Sequence, residues 1–90
     1  MKKAIITVVG KNSFGIIAKV STKLAEEKID VLDISQTIVQ GYFNMMMIVD
    51  FDVCEKSISE VSTELDAIGQ ELGVQIKCQL EDIFDKMHRI

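Results

Sequence analysis

Ninety residues with a net charge of −4 make room for one domain and provide no basic face. A chain that tracks nucleic-acid phosphates needs clustered Lys and Arg, so direct nucleic-acid binding is not expected. Apolar residues make up 48% of the chain, enough for a packed core, but no run approaches the roughly 18 residues of a membrane span.

The N-terminus, MKKAIITVVG, begins like an export signal, yet its apolar stretch stops at Gly10 and polar residues follow. It reads as a first strand behind a solubilising Lys pair. Cys54 and Cys78 are too far apart for a CxxC pair. With no export signal beside them, both are expected to be reduced thiols of a cytoplasmic protein.

Ile and Val dominate residues 3–9, as in a strand buried on both faces. GKNSFG, residues 10–15, is a polar, glycine-bounded turn, with Asn12 or Ser13 expected to cap the helix that follows. In that helix Ile16, Ile17, Val20 and Leu24 share one face, and Lys19, Lys23, Glu26 and Glu27 lie away from it. Residues 30–40 alternate, with Leu32, Ile34 and Ile38 on one side and Asp33, Ser35 and Thr37 on the other. Gly41 and Tyr42 suggest a short turn. A period-two row follows, Phe43, Met45, Met47, Val49 and Phe51, while Asn44, Met46, Ile48 and Asp50 make a partly apolar second face.

The second helix has the clearest signature. Ile58, Val61, Leu65, Ile68 and Leu72 form one stripe, Ser57 and Glu60 have capping-box spacing, and Gly73 suits a left-handed stop. Gly69 inside it costs about 1 kcal/mol relative to Ala. Glu55, Glu60, Glu64 and Glu71 are expected on its solvated side. Val74, Ile76, Cys78 and Leu80 then alternate with Gln75, Lys77 and Gln79 as a last strand.

The predicted order is β-α-β-β-α-β, an α+β chain of ferredoxin-like type. Right-handed crossovers place both helices on one face of a four-stranded antiparallel sheet, with the first and third strands central. The domain spans residues 1–80. The remainder, EDIFDKMHRI (81–90), sets Ile83, Phe84, Met87 and Ile90 on one side of a short C-terminal amphipathic helix. Its acidic start and basic end suit a helix dipole. A helix of that length is marginal alone, so it needs a docking surface, on the open sheet face or on a twin subunit.

The run GKNSFGIIAKVSTKLAEEKIDVLDISQTIVQGYFNMMMIVDF resembles the first βαββ segment of ACT domains, small regulatory modules of amino-acid-metabolic enzymes and some transcriptional regulators. The matching positions are Gly10, Gly15, Ile16, Ile17, Leu32, Ile34, Ser35, Gly41, Phe43 and Met45. Short free-standing bacterial ACT proteins, related to the ACT repeats of the glycine-cleavage repressor, give the nearest likeness. The resemblance implies an amino-acid ligand held between the first turn and the second strand of an adjacent subunit. Asn12, Ser13, Phe14, Gly15 and Ile16 would then line one side and Asp33, Ile34, Ser35 and Gln36 the other, with Asp33 as ammonium partner. Asn12 stands where the family commonly has Asp, and it cannot pair with an ammonium as a carboxylate does.

Chemistry-bearing constellations are missing from the sequence. Met45, Met46 and Met47 alternate faces in a strand and fill core space rather than hold a soft metal. His88 has no partner at metal-ligand spacing, and neither Cys has a His beside it. Arg89 is the sole arginine, so the phosphate loop of an acylphosphatase has no counterpart in GKNSFG. No catalytic residue, metal or cofactor is therefore expected. The function expected is a regulatory, amino-acid-binding homodimer. The alternative is a module that modulates an enzyme or transcriptional regulator by protein contact, without a small ligand.

Overall fold

The structure, a computed structural model, describes residues 2–11 and 15–80. Its elements run β1 (Lys3–Lys11), α1 (Ile16–Glu26), β2 (Asp30–Val39), β3 (Tyr42–Asp50), α2 (Ile58–Leu72) and β4 (Val74–Leu80). The strands form one antiparallel sheet in the order β2-β3-β1-β4, so β1 and β3 are central as expected. The C-terminal helix expected over residues 81–90 lies outside the described residues.

Both helices face one side of the sheet. Ile16, Val20 and Leu24 of α1 and Val61 and Leu65 of α2 join Ala4, Ile6, Val8, Phe43, Met45, Met47, Val49, Ile76 and Cys78 in a single core. Ile17 drops out of the predicted α1 face and is 42% exposed, because the stripe that meets the sheet repeats every four residues from Ile16. In α2 the predicted stripe meets the core throughout, with Ile58, Ile68 and Leu72 packed at its margin.

Local chemistry sets the joints. Ser57 accepts from the Glu60 N–H at 3.1 Å and the Glu60 carboxylate reaches back to Ser57, completing the capping box. Gly73 ends α2 at φ 76°. The β2–β3 turn is Gln40-Gly41, one residue earlier than the sequence suggested, with φ of 52° and 81°. Two positive φ values match the right-handed twist of the strands they join. Gly69 proves to be a packing requirement. A Cβ there would lie 2.7 Å from the Val74 carbonyl oxygen, so its lack of a side chain lets α2 lie close on β4.

Strand β2 departs most from expectation. A bulge between Val31 and Asp33 shifts the register, so Val31 pairs with Val49 and Asp33 with Ile48. Val31, rather than Leu32, therefore shares the helix side with Ile34 and Ile38. All ten β2 residues are exposed, because the strand lies at the sheet edge beyond the reach of either helix.

Candidate ligand site

The expected site has two halves, and in one protomer they stand apart. The first is the start of α1. Its N-cap is Gly15, in the left-handed region at φ 84°, a residue with no side chain to accept from the helix N–H groups; the cap expected from Asn12 or Ser13 lies outside the described residues. The Gly15 carbonyl accepts the first helical bond, from Lys19 N at 2.8 Å. No acidic residue occupies the first turn. Among the described residues no side chain caps this terminus, and its partial positive charge and leading N–H groups are the features that favour a carboxylate. A Cβ built on Gly15 meets no atom of the described residues within 4 Å, so among them the approach to the backbone is open. Ile16 turns inward to the core, 2% exposed. Asn12, Ser13 and Phe14 lie outside the described residues.

The second half is β2. On β3 the buried Phe43, Met45, Met47 and Val49 mark the helix side. Pairing then sets Ile34 and Gln36 on the helix side and Asp33 and Ser35 on the open side. The Asp33 carboxylate accepts from the Ile34 N–H at 2.9 Å. Gly10 pairs with Phe43, and Phe43 with Ile38, so α1 starts at the end of the sheet where β2 finishes. Asp33 lies five residues back along that strand. The two halves do not meet within one chain.

An open depression of about 260 Å³ lies on the other face of the sheet, lined by Thr7 and Val9 of β1, Ser35, Gln36 and Thr37 of β2, and residues 44–46 of β3. It carries hydroxyl and amide groups but no charge.

Sequence reasoning missed a ring of four alternating charges on the helix side. Lys23 lies 2.7 Å from Glu27 and 2.6 Å from Glu64, and Lys56 lies 2.8 Å from each. Glu64 was expected to be merely solvated. Only Lys23 and Glu27, four apart on one helix, leave a trace in the sequence. Hydrogen bonds to Lys23, then to Lys56, hold both carboxyls below the ordinary range. Bonds to Glu27, then to Glu64, raise both ammonium groups. The ring ties α1, α2 and the loop before α2 together.

The remaining chemistry is quiet. Met45 and Met47 are buried while Met46 is 41% exposed, the alternation expected of a strand. Cys54 and Cys78 are free thiols, and burial pushes Cys78 up to about 11. That thiol is a poor nucleophile at neutral pH. No group of His, Cys, Asp and Glu able to hold a metal occurs among the described residues. No helix among them is long and apolar enough to cross a membrane.

Comparison with known proteins places this geometry. The family model of the ACT domain matches residues 2–79. A UPF0237 protein of Bifidobacterium longum is 56% identical over 90 residues, covering 100% of both chains. The solved ACT domain protein from Streptococcus pneumoniae is 46% identical with a TM-score of 0.81, over 92% of this chain and 93% of that one. The regulatory subunit of aspartate kinase from Thermus thermophilus is 28% identical with a TM-score of 0.67, over 88% of this chain and 51% of that one.

Proposed function

This chain belongs to the ACT-domain family, a family of regulatory, ligand-binding modules, and we propose that it is a non-catalytic homodimer that binds an amino acid where two copies meet along β2. The observation that carries this reading is the bare second strand. Val31, Leu32, Ile34, Ile38 and Val39 are each 40–59% exposed along an unpaired edge. Such a strand is a template for another strand.

Beyond the bulge, β2 is regular from residue 33 to 39. An antiparallel pair of copies centred on Gln36 sets Ile34 against Ile38 of the partner subunit and covers both. The same operation carries Asp33 of the partner subunit to the end of the sheet where α1 begins. The ligand carboxylate then faces the leading N–H groups of α1 after Gly15. Asp33 of the partner subunit, whose side chain starts on the open side, supplies the charge for the ammonium by reaching around the strand edge. Asn12, Ser13 and Phe14 complete the first wall, with Ile34, Ser35 and Gln36 beside Asp33. A cytoplasmic location agrees with the two free thiols.

A thermal-shift screen against the amino acids tests this. A ligand at 100 times its Kd stabilises by about 2.7 kcal/mol. In a domain of this size the midpoint rises on the order of 10 °C or more. Gly15→Leu is expected to abolish the shift while costing about 1–2 kcal/mol of stability, the strain of a left-handed backbone. A dimer that responds to no amino acid would instead point to regulation by protein contact.

A further inference from the structure

The open face of the sheet carries an apolar pair that the fold just described leaves unexplained. Ile5 projects from that face beside Ile48, yet it is only 5% exposed and lies outside the helix-side core. Both described helices pack on the other side. We propose that residues 81–90 of the same chain lie across this open face as an intramolecular cover over Ile5, Ile48 and Met46.

Three observations converge on that occupant. The first is where the chain leaves the sheet. Leu80 pairs with Ala4 and Gln79 with Ile5, so residue 81 starts beside the apolar pair. The second is reach. Ten residues as a helix span about 15 Å. Crossing from β4 to β2 takes three strand spacings, about 14 Å. Laid that way, Ile83, Phe84, Met87 and Ile90 form one side able to face the sheet.

The third is charge. The open face is basic near β4 and β1, with Lys77 and Lys3, and acidic towards β2, with Asp50, Asp33 and Asp30. The tail runs in the opposite sense. Glu81, Asp82 and Asp85 come early, and Lys86, His88 and Arg89 come late. A tail running from β4 towards β2 sets each set of charges over its opposite. The reverse direction sets like over like. This inference does not depend on a ligand or on pairing along β2.

Hydrogen exchange of the full chain is the first test. A free ten-residue helix is marginal, so protection of residues 83–88 reports docking. Those amides should exchange at least about tenfold more slowly than in the isolated ten-residue peptide. Ile5→Lys should return them to the peptide rate. Unprotected amides in the full chain, or protection indifferent to Ile5→Lys in a folded protein, would overturn the proposal.

Phe84→Asp alters only the tail and so keeps the test available should Ile5→Lys unfold. Methyl resonances of Ile5, Ile48 and Met46 should shift, and those of Ile6, Met47 and Leu65 should stay. Unmoved open-face methyls would refute the contact. A nitroxide on Ile90→Cys, in a Cys54→Ala background, should broaden the Asp33 and Ser35 amides of its own chain. Broadening confined to an isotope-labelled second copy in a mixed sample would place the tail on another subunit and defeat the claim.

Discussion

Strands β4 and β2 border the same sheet, both alternate in sequence, and they end in opposite states. On β4, Val74, Ile76 and Cys78 are at most 7% exposed, because α2 folds back through Gly73 and lies on them. On β2, Ile34 and Ile38 point to the same side and remain 49% and 58% exposed. The apolar content is comparable; what differs is the reach of a helix. α2 settles on β4 because Gly69 admits close approach, whereas the buried face of α1 joins the same core and leaves β2 exposed. An edge left uncovered with this composition calls for a partner, while the covered edge is finished within the protomer.

The sharpest way to break that comparison is to cut the same side chain on each edge. Ile76→Ala should cost about 2–5 kcal/mol in urea unfolding. Ile38→Ala, measured at concentrations where the protein is monomeric, should stay within about 0.5 kcal/mol of the parent. Equal costs would mean that β2 is supported within the protomer after all.

The next largest effect comes from the buried thiol of the covered edge. Cys78 ionises near 11 in the fold against an ordinary 9.0. Above pH 9 the unfolded chain releases this proton first, so stability falls until about pH 11 and then levels. The loss is roughly 2–3 kcal/mol. Denaturant titrations should show that slope, and Cys78→Val should remove its thiol component.

A charge on the bare edge sharpens the other half. Ile38→Asp should shift sedimentation to the monomer and leave the melting midpoint of the dilute protein nearly unchanged. A dimer that survives it would have to be joined elsewhere.

The smallest effect belongs to the four-charge ring. Its carboxyls are lowered in the fold, so their contribution is present above about pH 4.5 and is lost as the pH falls through their folded values. Its ammonium groups are raised, so theirs holds below 10.5 and fades as the pH rises through the folded values. Lys56→Met should lower the melting midpoint at neutral pH and low salt, and the difference should close at about 1 M salt.

Much of this was legible from periodicity alone. The α2 stripe, the Ser57–Glu60 box and the row from Phe43 to Val49 each repeat a local rule, and local rules do not need the rest of the chain. The order of strands followed from the crossover rules for β-α-β-β-α-β, which the doubly apolar segments around Ile6 and Met47 fit. What escaped detection depends on tertiary contact. No spacing connects Lys23 to Glu64, and the Gly69 approach to the Val74 carbonyl, though only five residues away, arises because the chain turns back at Gly73. The bulge that exchanges Val31 for Leu32 arises from pairing with β3, and alternation read along one strand cannot reveal it. Of the site residues, Gly15 was readable as a turn glycine, while its left-handed φ of 84° came from the structure. The separation of Asp33 from the start of α1 emerged only from the register.

The irregularity at Val31 and Asp33 bears on how far assembly can run. A sheet with two free borders can recruit copies end on end, and a head-to-tail contact that fails to close grows into a fibre. Here a visiting strand finds a regular template on β2 of only seven residues before the kink turns it away. The opposite border holds Lys77 at its middle, a charge that discourages stacking. The architecture thus permits a closed pair and resists polymerisation.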